Sequence, residues 1–185
     1  MTHQGIQTEE TREIVLRLEH YDDIFSDFDM RPYSKRSLSV DFLSEIKRAT
    51  VDKDKSGIEL VLFAPEKERN ESHEVIIRER LDAHFKRHFD LLKAEKQSIV
   101  RRGAVMATLG LICMVGAMLL VYRDPEHTLL TSFMLIFLEP ASWFLLWEGM
   151  DQIVFHSKNI NPELDFYRKM SFSHGHIHFR SHESL

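Results

Sequence analysis

The sequence predicts a membrane α-helical hairpin of two transmembrane helices, joined through a long helical stalk to a small cytoplasmic α+β domain, and three observations carry that expectation. From Ala104 to Tyr122 every residue is apolar or small, and from Leu129 to Trp147 the only charge is Glu139. Each run has about 19 residues, close to the roughly 20 that cross ~30 Å of hydrocarbon. The second observation is a stretch from Asn70 to Arg102 without proline or glycine, which suits one uninterrupted helix entering the first run. The third is the pair of alternating or apolar short segments near both ends of the chain, which read as strands.

The 185 residues leave room for one small extramembrane domain beside the hairpin. A formal charge of −5 provides no strongly basic face for phosphate contacts, which excludes nucleic acid as the expected partner. The single cysteine, Cys113, lies inside the first apolar run, so one chain builds neither a disulfide framework nor a thiolate metal site. Residues Met1 to Glu10 are polar and acidic and have no signal-peptide pattern. Lys86, Arg87, Lys93, Lys96, Arg101 and Arg102 precede the first span, Lys158, Arg168 and Lys169 follow the second, and the connecting loop holds only Arg123. The positive-inside rule therefore places both termini in the cytoplasm, with the chain in the cell inner membrane.

In chain order, Arg12 to Glu19 reads as a strand with Ile14, Leu16 and Leu18 on one face. The acidic, aromatic stretch Tyr21 to Asp29 reads as a structured loop docked through Phe25 and Phe28. Ser39 caps a helix in which Phe42, Leu43, Ile46 and Ala49 fall at helical spacing. Asp52 to Gly57 makes a turn, and Ile58 to Ala64 a second strand. Ile77, Leu81, Phe85, Phe89 and Leu92 line one side of the stalk and must pack on the domain or on sister stalks. Asn161-Pro162 marks a break, Phe166 to Met170 a short helix, and Ser171 to Ser181 a strand that returns to the N-terminal strands. The expected divisions are a domain over 1–69, a stalk over 70–102, spans over 103–122 and 129–150 around an external loop at 123–128, and a cytoplasmic tail over 151–185.

Glu139-Pro140 is the most informative pair. A charged carboxylate near mid-span costs a few kcal/mol, so it faces protein or water, or stays protonated. Pro140 cannot donate to the carbonyl of Ile136, which frees a backbone oxygen beside the glutamate and predicts a kink. Thr128, Ser132, Glu139 and Trp143 share one sector of the helix, a stripe suited to a pore lining or a helix interface. In a homo-oligomer the glutamates form a ring that holds a cation or a proton; the competing reading is a protonated glutamate that bonds a neighbouring helix.

Leu138-Glu139-Pro140-Ala141-Ser142-Trp143-Phe144 locally resembles the pore motif of the mitochondrial calcium uniporter family, D-x-M-E-P followed by an aromatic pair. The resemblance implies Glu139 as a ring carboxylate at a cation site, although the motif's aspartate position is Ile136 here and its preceding tryptophan position Leu135. Over its whole length the chain is similar to an uncharacterised family of small prokaryotic two-helix membrane proteins that carry the stretches YDDIFSDFD and NPELDFYRKMS, here Tyr21 to Asp29 and Asn161 to Ser171. No activity follows from that similarity.

On the first span Gly103, Ala107, Gly110, Met114 and Ala117 share one face, which lets another helix approach closely. His174, His176 and His178 alternate along the tail as candidate metal ligands, against the plainer reading of a solvated histidine-rich strand face. Asp22, Asp23, Asp27 and Asp29 form a candidate surface for a cytoplasmic protein partner. Asp52-x-Asp54-x-Ser56-Gly57 opens like a calcium loop, but the position of the bidentate glutamate is Phe63. No phosphate loop, zinc-protease motif or nucleophile elbow is present, so an enzyme is not expected and no cofactor beyond a bound cation is implied. The expected function is a homo-oligomeric cation or proton pathway in the lipid bilayer; the alternative is a non-conducting, membrane-anchored interaction or regulatory module.

Overall fold

The computed structural model describes residues 13–51, 58–124, 126, 128–171 and 177–182. The chain is mostly helical and forms two compact units, one made of residues 1–90 with 164–185 and the other of residues 91–163.

In the first unit three strands, β1 (Glu13–Arg17), β2 (Glu59–Pro65) and β3 (Ile177–His182), form one wholly parallel sheet in the order β1-β2-β3. Parallel neighbours need a long crossover. Helix α1 (Val40–Thr50) supplies the first. The second contains the remaining α-helices of the described residues, so the apolar hairpin is an insertion between the central strand and the C-terminal one. The C-terminal strand returns to the sheet as expected, running alongside β2 in the same direction, so the connectivity is β–α–β throughout.

Register sets which face is core. Ile14, Leu60 and Ile177 stand in one row and Leu16, Leu62 and Phe179 in the next, and all but the half-buried Leu16 are buried. The opposite face carries Val15, Val61 and His178, then Arg17, Phe63 and Arg180. Central β2 is buried on both sides at Leu60, Val61 and Leu62, which accounts for its continuous apolar run.

The helices complete this core from one stripe each. In α1, capped by Ser39, whose Oγ accepts from the Phe42 N–H, Phe42 and Ile46 are buried one turn apart. Helix α2 (Glu71–Arg123) runs for 53 residues without interruption. Its start is closed by Asn70, whose Oδ1 accepts from the N–H groups of Ser72 and His73 at 3.0 and 3.3 Å. Ile77, Leu81 and Phe85, four residues apart, are fully buried. Helix α4 (Asn161–Ser171) adds Phe166, Tyr167 and Met170. The break expected at Asn161-Pro162 is present, after Asn159, and the helix beyond it begins at Asn161 itself, since a proline in the first turn gives up an N–H that has no intrahelical partner. Ser171 closes α4; of the expected tail strand, Ile177–His182 is seen as β3, and residues 172–176 lie outside the described residues.

A buried polar link ties loop, helix and sheet together. Glu74, 4% exposed, receives both Nε and Nη2 of Arg69 at 2.8 and 2.9 Å, and the hydroxyl of Tyr21 at 2.8 Å. Tyr21 Oη in turn accepts from the Asn70 N–H, and Arg69 Nη1 donates to Ser181 of β3. The Arg69 guanidinium, above all, holds the Glu74 carboxyl below its ordinary range, and burial opposes it. A group lowered in this way stabilises the fold above its unfolded value, and the contribution is lost as pH falls through the folded value. Glu74→Gln is expected to cost about 3 kcal/mol, the low end for breaking a buried pair because Arg69 is partly exposed and rehydrates. Urea unfolding of the intact protein checks this.

In the second unit the later part of α2 packs antiparallel on α3 (Leu129–Asp151). Asp124 caps α3, its Oδ2 accepting from Thr128 N–H and Oγ1 and from Thr131 Oγ1 at 3.0, 2.8 and 2.6 Å. After Asp151 the helix widens into a π segment (Gln152–His156) and one further turn (Ser157–Asn159). Both helices are long and apolar enough to cross a membrane, and only 11% of the apolar stretch of each is buried within the chain. A core helix of a soluble domain buries its apolar residues; these present them outward.

Candidate functional site

The hairpin is built around absent side chains. A Cβ on Gly149 would lie 2.5 Å from the Ala107 nitrogen and 2.6 Å from the Gly103 carbonyl oxygen, and one on Gly110 would lie 2.7 Å from the Leu146 nitrogen and 2.8 Å from the Ser142 oxygen. The Gly103, Ala107, Gly110 and Ala117 face of α2 thus meets α3 backbone to backbone, with Ser142 and Thr131 buried opposite. The sequence reading missed the receiving face. Ser142 and Gly149 repeat at the seven-residue spacing of Gly103 and Gly110, which is the pattern that identifies them.

This close approach decides where Glu139 goes. With Ser142 turned into the helix contact, its Oγ donating to the Glu139 carbonyl at 2.8 Å, the Glu139 side chain lies beside that contact and is exposed. It opens into a groove of about 600 Å³ lined by Met114, Ala117, Met118, Tyr122, Ser142 and Trp143. Among the described residues no side chain bonds its carboxylate. Trp143, also exposed, stands on the same groove. Ser132 is half-buried nearer the loop and does not line the groove, and the buried hydroxyl on that side is Thr131. Helix α3 continues through Pro140.

Three of the four acids of the first loop bind groups of their own chain. Asp22 pairs with Arg36, and Asp23 Oδ2 accepts from the N–H groups of Glu19 and His20, closing a short 3-10 turn (Tyr21–Ile24). Asp29 accepts from Arg31 Nε and Nη2 at 2.9 and 2.7 Å and from the Ser37 N–H at 2.7 Å. Arg31 first, and then the Ser37 N–H, holds the Asp29 carboxyl well below the usual carboxylate range. Asp27 is exposed. Phe25 docks the loop as expected, but Phe28 does not: it is 98% exposed. Asp29 turns inward to its partners, and the residue before it is turned out.

His174 and His176 lie outside the described residues, as does the stretch Asp52 to Gly57. His178 is exposed on the sheet face away from the core, and among the described residues no three ligating side chains converge as a metal site requires. A different histidine pair sits half-buried at the edge of the core, at a spacing of one helical turn that drew no notice beside the tail alternation. His84 and His88, one turn apart on α2, have ring centroids 4.3 Å apart, and His88 stacks on Tyr167 of α4 at 5.0 Å. His84 Nε2 is buried without a hydrogen-bond partner among the described residues.

Burial first, then the nearby positive groups His88, Arg80 and Arg87, push His84 down to about 4 from 6.5. A histidine held neutral in the fold stabilises it fully above pH 6.5, and that stability drains away as pH falls toward 4, where the unfolded chain binds the extra proton. Replacing the orphaned imidazole by an apolar ring, His84→Phe, is expected to flatten this limb and to raise neutral-pH stability by about 1 kcal/mol. Thermal unfolding followed from pH 7 to pH 4 measures both.

No protein-family model, curated protein or solved structure matches this chain.

Proposed function

We propose that the chain crosses the bilayer twice, with both ends in the cytoplasm, and assembles as a homo-oligomer in which Glu139 lines a pathway for a cation or a proton. One observation carries the reading. Glu139 is a carboxylate at the middle of an apolar helix, exposed on an open apolar groove lined by both helices of its hairpin. Facing lipid alone it costs several kcal/mol. The same exposure becomes favourable when neighbouring copies surround it with water or with their own carboxylates, as in rings that select cations. Trp143, on the groove with it, narrows such a passage. The tight glycine contact on the other side leaves each hairpin a rigid unit able to pack as a stave. The local resemblance of Leu138 to Phe144 to a calcium-pore motif points to the same residue, and the basic residues flanking the apolar stretches favour cytoplasmic termini.

The test is the intact protein purified in detergent, its mass measured, then reconstituted into liposomes holding a proton or calcium indicator. A multimer that passes one of these ions is expected. A monomer, or tight vesicles under both gradients, refutes the pathway and favours the alternative of a non-conducting anchor that holds a cytoplasmic domain at the membrane.

A further inference from the structure

We infer that the groove beside Glu139 is a binding site for one soft monovalent metal ion, Cu(I) or Ag(I), held by the thioethers of Met114 and Met118, the Glu139 carboxylate and the indole of Trp143. All four side chains line that groove. They come as two pairs, each spaced by one helical turn: Met114 with Met118 on α2, and Glu139 with Trp143 on α3. Residues four apart share a helix face, with Cβ atoms about 5–6 Å apart, so each helix presents two donors to the groove. Metal sites in helical bundles are assembled in this way, from side chains on facing helices. The frame that carries the pairs is fixed. Gly110, one turn before Met114, is seated so closely that a Cβ there would lie 2.8 Å from the Ser142 oxygen, and the buried Ala117 and Ser142 lie between the pairs.

The donor set selects the ion. Met114 and Met118 are 39% and 64% exposed, so neither sulfur is spent on filling a core. Thioethers are soft ligands that favour Cu(I) over hard cations, and the three side-chain torsions of methionine let two sulfurs turn onto one ion. Calcium takes about 6–8 oxygen ligands, whereas the side-chain oxygens on this groove within one hairpin are those of Glu139, Tyr122 and Ser142, and Ser142 Oγ already donates to the Glu139 carbonyl. Zinc is served no better: among the described residues histidine, cysteine and acidic side chains do not gather in threes. Charge points the same way. One carboxylate and one monovalent ion sum to zero, which suits an apolar groove where a net charge is costly, and the face of Trp143 attracts a cation further.

The site shares Glu139 with the proposed pathway but does not rest on it, because a single hairpin supplies all four groups.

The full chain carrying Trp147→Phe and Cys113→Ser, purified in detergent without chloride, keeps Trp143 as its one tryptophan and has no thiol. Titrated with silver nitrate, its fluorescence is expected to be quenched with an end point at one ion per chain. Met114→Leu with Met118→Leu conserves volume and should leave the fold intact, but is expected to weaken Ag(I) binding at least about tenfold. Glu139→Gln should weaken it as well. Met134→Leu with Met150→Leu replaces exposed thioethers that lie off the groove and should change nothing. A large excess of calcium nitrate should fail to displace the silver. Absence of stoichiometric quenching, equal weakening by the two leucine pairs, or displacement by calcium overturns the site. Ion flux is not read in this titration, so a protein that conducts but ignores silver sinks this inference alone, and one that binds silver yet leaves vesicles tight sinks only the pathway.

Discussion

Gly149→Leu is expected to pry the two apolar helices apart, at a cost of about 3 kcal/mol or more, because the new side chain must displace backbone and not a yielding side chain. The first carbon alone would lie 2.5 Å from the Ala107 nitrogen and 2.6 Å from the Gly103 oxygen. Neither atom can rotate away, so the helices must separate along the contact and release the Gly110 seat against Ser142 and Leu146 as well. Gly149→Ala should cost about 1–3 kcal/mol for the same reason. Gly116→Ala is the control: its Cβ would find only Leu138 Cδ2 at 3.5 Å, an ordinary contact. It should be neutral or stabilise the helix by up to about 1 kcal/mol. Thermal unfolding in detergent reads the energies. Closure is read with Met106→Cys and Gln152→Cys in a Cys113→Ser background, positions whose native side chains touch at 3.5 Å. A short cross-linker should join them in the parent and in Gly116→Ala, and fail in Gly149→Leu. Equal cross-linking in all three would show that the glycines do not set the approach.

Local chemistry explains why some of this architecture is readable in the residues and some is not. The long helix from Asn70 onward, the Ser39 cap and the three strands follow from spacing and turn residues that act within a few positions. The break at Asn161-Pro162 is legible, but the helix after it starts there and not at Phe166, because proline is tolerated in a first turn and the residues up to Phe166 carry no apolar spacing to extend it. Phe166, Tyr167 and Met170 are its buried residues.

The acidic loop is harder still. Asp22, Asp23, Asp27 and Asp29 look alike as letters, yet three of them are bound to Arg36, to backbone N–H groups and to Arg31, while Phe28, which resembles a docking residue, points out. Nothing in the spacing of YDDIFSDFD says which residues turn inward, because that is decided by Arg36 and Ser37 returning alongside the loop. The histidines show the same limit. The conspicuous alternation lies at the tail, whereas the pair placed in a packed environment, His84 and His88, is spread over one helical turn and becomes visible only when Tyr167 closes against it. The direction in which Glu139 faces was also beyond spacing alone: a polar stripe assigned it the sector of Thr128 and Ser132, but the seating of Gly149 and Ser142 against α2 fixes the rotation of α3 and so the exposure of the acid.

Glu139→Gln should remove ion or proton flux while leaving the oligomer and its stability in place. The two side chains have nearly the same shape, so the apolar groove and the packing of Trp143 are kept. The hairpin contact is made by Gly149 and Ser142, and the amide places no new volume against it. What changes is charge: an amide neither binds a cation strongly nor gives up a proton, and a ring of amides provides no field for either. Flux should fall by at least about tenfold, the consequence of losing roughly 1.4 kcal/mol or more of favourable electrostatics at the narrowest point. Glu139→Asp retains the charge on a shorter arm and should keep partial flux, which separates an electrostatic role from a steric one. Because an uncharged residue is also cheaper to place in lipid, the glutamine variant should be at least as thermally stable as the parent in detergent. A variant that is more stable and silent identifies a functional carboxylate held at a cost to stability, whereas one that is less stable and still conducting identifies a packing hydrogen bond between neighbouring copies and locates the pathway elsewhere.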